Sequence, residues 1–280
     1  MLSEVMGYYG ITRDFRDAGY FETDHHRQLS LELDAAIRRG GLIALCGIVG
    51  CGKTTLLKHI RQALQQEGEI LISRSLALDK VNIKTLITAL FYDLTGDEEV
   101  KIPAQPQRRE RLLLWLIERR ARPVALFVDD AHHLDNQTLV ELKRLIELVH
   151  GTGETLSVVL AGHPKLKNVL DDPRLEEIGK PCTIFTLEGI GGKQEAYIRW
   201  LLQQCATQET EALIQEEAIA LLAAQLTTPL QITHYLTLSF EQAYLIAEKP
   251  VSAQLVASVL PPGLNDPQAR LARQGYNAGS

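Results

Sequence analysis

With 280 residues, 45% of them hydrophobic and 23% charged, the chain has the balance of a folded globular protein with room for a core and a smaller second domain. A net charge of −6 excludes a generally basic surface, so any attraction to nucleic acid has to be local. No apolar run is long enough to cross a bilayer and Met1-Leu2-Ser3-Glu4 does not open a signal peptide, which points to a cytoplasmic location. Cys46, Cys51, Cys182 and Cys205 show no C-x-x-C spacing and read as reduced, mostly buried thiols.

The first forty residues are rich in aromatics: Tyr8, Tyr9, Phe15, Tyr20 and Phe21. Two readings stand for them, walling a nucleotide base or packing the segment onto the core. A helix is predicted over 23–39, with Leu29, Leu33, Ala36 and Ile37 on one face and Gly40-Gly41 as its stop. His25-His26 does not make a metal pair, because adjacent helical residues point apart.

Leu42–Cys46 is a short apolar run with the look of a buried strand, and Gly47-Ile48-Val49-Gly50-Cys51-Gly52-Lys53-Thr54 follows it. That octapeptide matches G-x-x-x-x-G-K-[ST] in full, and Leu56, Leu57, Ile60 and Leu64 continue at helical spacing to Gly68. Strand, glycine loop and helix are the three parts of a phosphate cradle. The glycines let backbone N–H groups of Gly47, Val49, Gly50, Cys51 and Gly52 turn inward, and the helix N-terminus adds a favourable dipole. Lys53 would meet the β- and γ-phosphates, Thr54 a Mg²⁺ ion, and Thr55 a phosphate oxygen. The chain is expected to bind ATP.

A second strand is predicted over 69–73 and an amphipathic helix over 83–94, carrying Ile83, Leu86, Ile87, Leu90, Phe91 and Leu94. Arg74, Lys80 and Lys84 lie around the turn between them. A polar loop over 95–107 leads to a helix over 108–120 with Leu112, Leu113, Leu116 and Ile117 inward. Arg108, Arg111 and Arg119 fall near one another on that helix, since eleven residues make about three turns. They read either as a phosphate-contacting stripe or, with Glu110 and Glu118 between them, as a solvated face.

Val124-Ala125-Leu126-Phe127-Val128-Asp129-Asp130, with Asp129 76 residues beyond Lys53, has the form of a Walker B element. Asp129 would hold Mg²⁺, and Asp130 would orient or deprotonate the attacking water. Asp135 is a candidate N-cap for a helix bearing Leu139, Leu142, Leu145, Ile146 and Val149. A strand over 156–161 ends at Gly162-His163-Pro164, which puts His163 where ligands meet a parallel sheet. After a fifth strand over 182–185 the alternation gives way to four helical patterns, over 195–205, 216–226, 229–247 and 252–260. Gly189, Gly191 and Gly192 mark the change, and 261–280 reads as a tail. The expected fold class is α/β, a parallel-sheet P-loop core over 1–187 with a helical lid over 188–260.

The phosphate loop, the Asp129-Asp130 element, the strand ending at His163 and the helical lid, in that order, resemble the AAA+ ATPases. Arg27-Gln28-Leu29 through Leu45, and Ala161-Gly162-His163-Pro164-Lys165-Leu166, are similar to the ExeA-type branch, which includes the transposition ATPases TnsC, TniB and MuB. The resemblance implies an ATPase that assembles as rings or helical filaments on double-stranded DNA and recruits or activates a transposase, with adaptor proteins choosing the site. It also implies His163 in the sensor-1 place, Arg174 or Lys180 as the cation offered to a neighbouring subunit, and DNA contacts at Lys80, Lys84 and Thr95, with Arg74 a further candidate. Asp130 stands where most relatives have glutamate, which predicts slow hydrolysis. Thr227-Thr228-Pro229-Leu230-Gln231 replaces the usual Gly-x-Pro-Arg of the lid. Two other functions fit the phosphate loop less well: an ExeA-like ATPase acting on a secretion partner, and a small-molecule kinase.

Overall fold

The structure is a computed structural model that describes residues 1–74, 82–96, 101–171, 173–176, 178–179 and 181–261. Its chain folds as two units, one comprising His26–Val49 and Lys53–Leu187, the other Met1–His25, Gly50–Gly52 and the chain from Glu188 onward.

The larger unit is built on five strands, β1 (Gly41–Cys46), β2 (Leu71–Arg74), β3 (Val124–Val128), β4 (Leu156–Gly162) and β5 (Thr183–Thr186). They form one parallel sheet in the order β2-β3-β4-β1-β5. Every residue of β3 and β4 is buried, which is why their sequences run apolar without alternation. Helices Asp24–Arg39, Lys53–Glu67, Ile83–Thr95, Pro106–Arg120 and Asn136–His150 connect and flank the strands. Leu86, Leu90, Leu116, Leu139, Leu142, Val158 and Leu160 lie at 0–2% exposure in the core of this unit.

Polar groups pin the helices to the strands where the apolar core cannot set register. The Ser157 hydroxyl donates to the Ile37 carbonyl at 2.5 Å inside the protein, tying β4 to the end of helix Asp24–Arg39. Ser73 donates to the Asp93 carboxylate at 2.6 Å, tying β2 to helix Ile83–Thr95. Arg38 meets Asp34 at 2.8 Å, Glu69 at 2.7 Å and also Glu67, and these carboxylates raise its pKa further. Asp135 caps helix Asn136–His150 by accepting from the Thr138 N–H at 2.6 Å, which lowers its carboxyl pKa.

The second unit is helical: Gln194–Cys205, Glu216–Gln225, Pro229–Leu245 and Ala253–Val259, with short helices Ser3–Tyr9 and Thr210–Leu213 that sequence periodicity did not show. Residues 1–25, expected to accompany the sheet, pack here instead. The Tyr9 ring meets Phe240 edge-on at 4.8 Å, its hydroxyl donates to the Glu248 carbonyl at 2.7 Å, and burial pushes its pKa up to about 12. Phe15 lies 5.8 Å from Phe240, and Phe21 lies 5.3 Å from both Tyr197 and Trp200. Tyr9, Phe15 and Phe21 therefore serve helix packing, the plainer of the two expected roles. His26 is buried in its helix, and no cluster of three or more His, Cys, Asp or Glu side chains placed to hold a metal occurs among the described residues. None of the four cysteines is in a disulfide, and burial raises the thiol pKa of Cys46, Cys182 and Cys205. Among the described residues no helix is long and apolar enough to cross a membrane. The predicted tail lies, except for Pro261, outside the described residues.

Leu160→Ala in the central strand β4 tests this packing. The side chain is fully buried, so its removal is expected to destabilise folding by about 2–5 kcal/mol, read as a shift of the urea midpoint. A shift under about 1 kcal/mol would contradict a close-packed sheet centre.

Candidate nucleotide site

β1 ends at Cys46 and the chain turns into the glycine loop. Gly50 and Gly52 have φ of +79° and +104°, a backbone region that side chains rarely adopt, so the loop's path depends on glycine at both places. Gly50 also has no room for a larger residue: an added Cβ would stand 2.4 Å from the Leu230 Cβ, and the Leu230 N–H donates to the Gly50 carbonyl at 3.3 Å. Gly47 and Cys51 are buried, while Val49 is 73% exposed. The backbone of Gly47 is held by its N–H donating to Gly162 at the end of β4, 3.1 Å away.

Helix Lys53–Glu67 starts where the loop ends. Lys53 curls back over it, its ammonium donating to the carbonyls of Gly47 at 2.9 Å and Ile48 at 3.1 Å. A cation already held above a ring of backbone groups is placed to meet a phosphate in the same position. Thr55 is exposed on the first turn.

Thr54 reaches across to the end of β3 and donates its hydroxyl to Asp129 Oδ2 at 2.8 Å. Adjacent ligands of an octahedral Mg²⁺ at about 2.1 Å from the ion stand about 3 Å apart. The Thr54–Asp129 pair meets that spacing, so these two residues fit a magnesium ion bound with ATP. Such an ion would bridge and neutralise the phosphate oxygens; Thr54 and Asp129 would orient it.

Asp130 adopts a left-handed conformation, φ 51° and ψ 32°, and its N–H donates to Asp129 Oδ1 at 3.0 Å. Aspartate tolerates this region better than most residues, yet the turn is strained enough to need a reason. Here it ends the strand alternation and leaves the Asp130 carboxylate exposed beside the metal pair. His163 follows β4, between the ends of β1 and β3. Its Nδ1 accepts from the Lys165 N–H at 3.4 Å, and burial, with Lys165 and Lys53 nearby, lowers its pKa. It is therefore a neutral imidazole near pH 7 with Nε2–H as its donor.

The remaining predicted positions are spread more widely. The backbone places Arg74 as the last residue of β2 and Arg174 in helix Pro173–Glu176. Lys80 and Lys180 lie outside the described residues. Lys84 is exposed at the start of helix Ile83–Thr95. Thr95 is not available for the expected DNA contact: it is 6% exposed and its hydroxyl donates to the Tyr92 carbonyl at 3.3 Å. It faces inward because it follows the buried Phe91 by four residues, on the packed side of the helix.

Two residues were missed. A cavity of about 230 Å³ beside the metal pair is lined by Thr54, Leu57, Lys58, Arg61, Phe127 and Asp129. Lys58 and Arg61 follow Thr54 at i+4 and i+7, one helix face, and that spacing was the available signal.

Lys53→Ala is expected to lower ATP affinity by at least tenfold, measured with a fluorescent analogue; unchanged affinity would remove Lys53 from the phosphate site. Asp130→Asn keeps a residue that tolerates the left-handed turn and removes the charge. ATP binding should persist while turnover falls by about 10²-fold or more, and unchanged turnover would exclude the carboxylate as base. His163, if it serves the site, would act as a neutral donor, because burial first, and then Lys165 and Lys53, lower its pKa below the ordinary 6.5. Activity carried by the neutral form is full above that value and falls as pH drops through it. His163→Asn should flatten the acid limb, and an identical limb in the variant would assign it to another group.

Residues 37–170 match the profile of the family described as "AAA domain". General secretion pathway protein A of Aeromonas hydrophila is 28% identical over 186 residues, 65% of this chain and 34% of that protein. The chain thus spans about a third of that relative. Cdc6p from Pyrobaculum aerophilum superposes with a TM-score of 0.59 at 18% identity, covering 86% of this chain and 69% of the other. The Drosophila ORC bound to DNA gives 0.60 at 16% identity, covering 97% and 68%. These two likenesses bear on the fold, and the parallel order β2-β3-β4-β1-β5 with the loop after β1 agrees with them. Residues 37–170 thus match an AAA domain, on a parallel-sheet P-loop fold with the Thr54–Asp129 pair beside the loop, an arrangement that supports ATPase activity.

Proposed function

We propose that this chain is an ATP-dependent, oligomerising DNA-binding regulator of transposition. On this reading, copies carrying Mg·ATP assemble as a ring or helical filament on double-stranded DNA, without sequence preference. The filament recruits or activates a transposase, with adaptor proteins directing the choice of site. The observation that carries the reading is the nucleotide site at the sheet edge, where the Thr54 hydroxyl lies 2.8 Å from Asp129 beside the phosphate loop. In the sequence, Thr228-Pro229-Leu230-Gln231 opens the lid helix as a capping box, Gln231 N donating to Thr228 Oγ1 at 3.2 Å, with leucine where the family has a lid arginine. On this reading a neighbouring copy supplies a further cation for the γ-phosphate, with Arg174 on helix Pro173–Glu176 and Lys180 as the candidates. The resemblance to TnsC, TniB and MuB supports DNA as the track, and Lys84 supplies an exposed charge for it.

A second reading is favoured by the likeness to general secretion pathway protein A. There the same ATPase would act on a protein partner, and ATP turnover would not respond to DNA.

With a slowly hydrolysed Mg·ATP analogue, regular rings or filaments are expected on duplex DNA in negative-stain micrographs and none without nucleotide. A protein that stays monomeric on duplex DNA with saturating analogue would overturn the proposal. Lys84→Glu should weaken DNA binding and flatten its salt dependence by about one unit of slope, leaving ATP affinity unchanged. Equal DNA affinity would move the contact surface elsewhere.

A further inference from the structure

Helix Pro106–Arg120 turns Leu113, Leu116 and Ile117 into the core and leaves its other side exposed. At about 100° per residue, Arg108, Arg111, Trp115 and Arg119 fall within an arc of about 80° on that side. All four are exposed, Trp115 at 50%. Glu110 turns away from the centre of the arc by about 140°, and Glu118 flanks its edge. The Arg119 guanidinium lies over the Trp115 ring, 5.3 Å from its centroid. Arg108 and Arg111 make no ion pair or hydrogen bond among the described residues.

The row is straight and cationic, on a chain whose net charge is −6. Eleven residues at 1.5 Å each span about 16.5 Å. A duplex presents phosphates at close, regular spacing along each winding strand, so a cationic row of that length can meet more than one of them. Arginine carries a planar fork of donors that pairs with phosphate oxygens two at a time. Trp115 explains itself in the same terms: an aromatic face holds a guanidinium flat and aims its edge outward.

We infer that the Arg108–Arg111–Trp115–Arg119 face is a second contact surface for the phosphate backbone of duplex DNA, separate from Lys84 and from the nucleotide site. The inference rests on the DNA reading above and deepens it. An acidic protein segment is the competing occupant; three arginines in one row, with a planar donor fork that pairs with phosphate oxygens, favour DNA.

The test is fluorescence anisotropy of a mixed-sequence 30-base-pair duplex with full-length protein and Mg·ATP analogue, titrated over a range of salt. The triple variant Arg108→Gln, Arg111→Gln, Arg119→Gln should lose about 2–3 units of slope in log K against log[salt], at about 0.9 per phosphate. At 0.1 M salt this is a weakening on the order of 10²-fold. Nucleotide affinity and melting temperature should not change, which separates lost contacts from lost folding. The matching triple variant to lysine should retain the slope, since the charge is kept. Wild-type binding with an unchanged slope in the glutamine variant overturns this inference alone. Failure of the wild type to bind duplex DNA overturns both this inference and the DNA reading. In that case, stripe-dependent binding of a polyglutamate peptide would assign the face to an acidic protein.

Discussion

The hydrogen bond between Thr54 and Asp129 is the contact on which the site depends, and it exists because β4 lies between β1 and β3. The two residues are 75 positions apart, one on the helix after β1 and one just beyond β3, strands that do not pair. Two strand spacings put their ends about 10 Å apart. Thr54 covers that gap because it sits on the first turn of a helix that leaves β1. The strand between them ends at His163. Three neighbouring strands thus each deliver one functional element to the same edge of the sheet, the edge where parallel sheets bind ligands. A different strand order with the same sequence motifs would leave Lys53, His163 and Asp129 unable to meet.

Much of this was legible in the sequence because burial on both faces produces unbroken apolar runs, and β1, β3 and β4 are such runs. The glycine loop was legible for another reason: its backbone angles restrict residue choice at Gly50 and Gly52. The N-terminal aromatics show the opposite case. Their composition says that Tyr9 and Phe15 are buried but not against what, and the partner, Phe240, lies more than 220 residues away. Thr95 fails for a related reason. A motif match fixes its place in the chain, while its exposure depends on the rotation of helix Ile83–Thr95 against the sheet.

Asp130 shows how a side chain's reach is set by more than its length. A glutamate at this place would extend one methylene further from an identical backbone. The left-handed turn at Asp130 alters the backbone itself, and the Asp130 N–H is tied to the Asp129 carboxylate. The two aspartates are therefore a coupled unit in which the metal-facing residue helps to aim its neighbour. On the proposed reading, binding of nucleotide would draw on Lys53, Thr54 and the loop, and its hydrolysis on this unit. The division lets a protein hold ATP for a long time and still hydrolyse it eventually, a useful property for an assembly timed by its nucleotide.

Net charge argues about solubility and long-range attraction, not about where a polyanion touches. At physiological ionic strength charges more than about 8 Å apart are largely screened, so a row of arginines on one helix face acts on its own neighbourhood whatever the rest of the chain carries. Glu110 points away from the centre of that row, and Glu118 only borders it. The acidic remainder of the surface then has a use: it disfavours contact anywhere else. A protein whose overall charge opposes DNA and whose cations are gathered on a few faces would be held in one orientation on a duplex. Fixed orientation is what copies need if each is to place a cation, such as that of Arg174, at its neighbour's nucleotide.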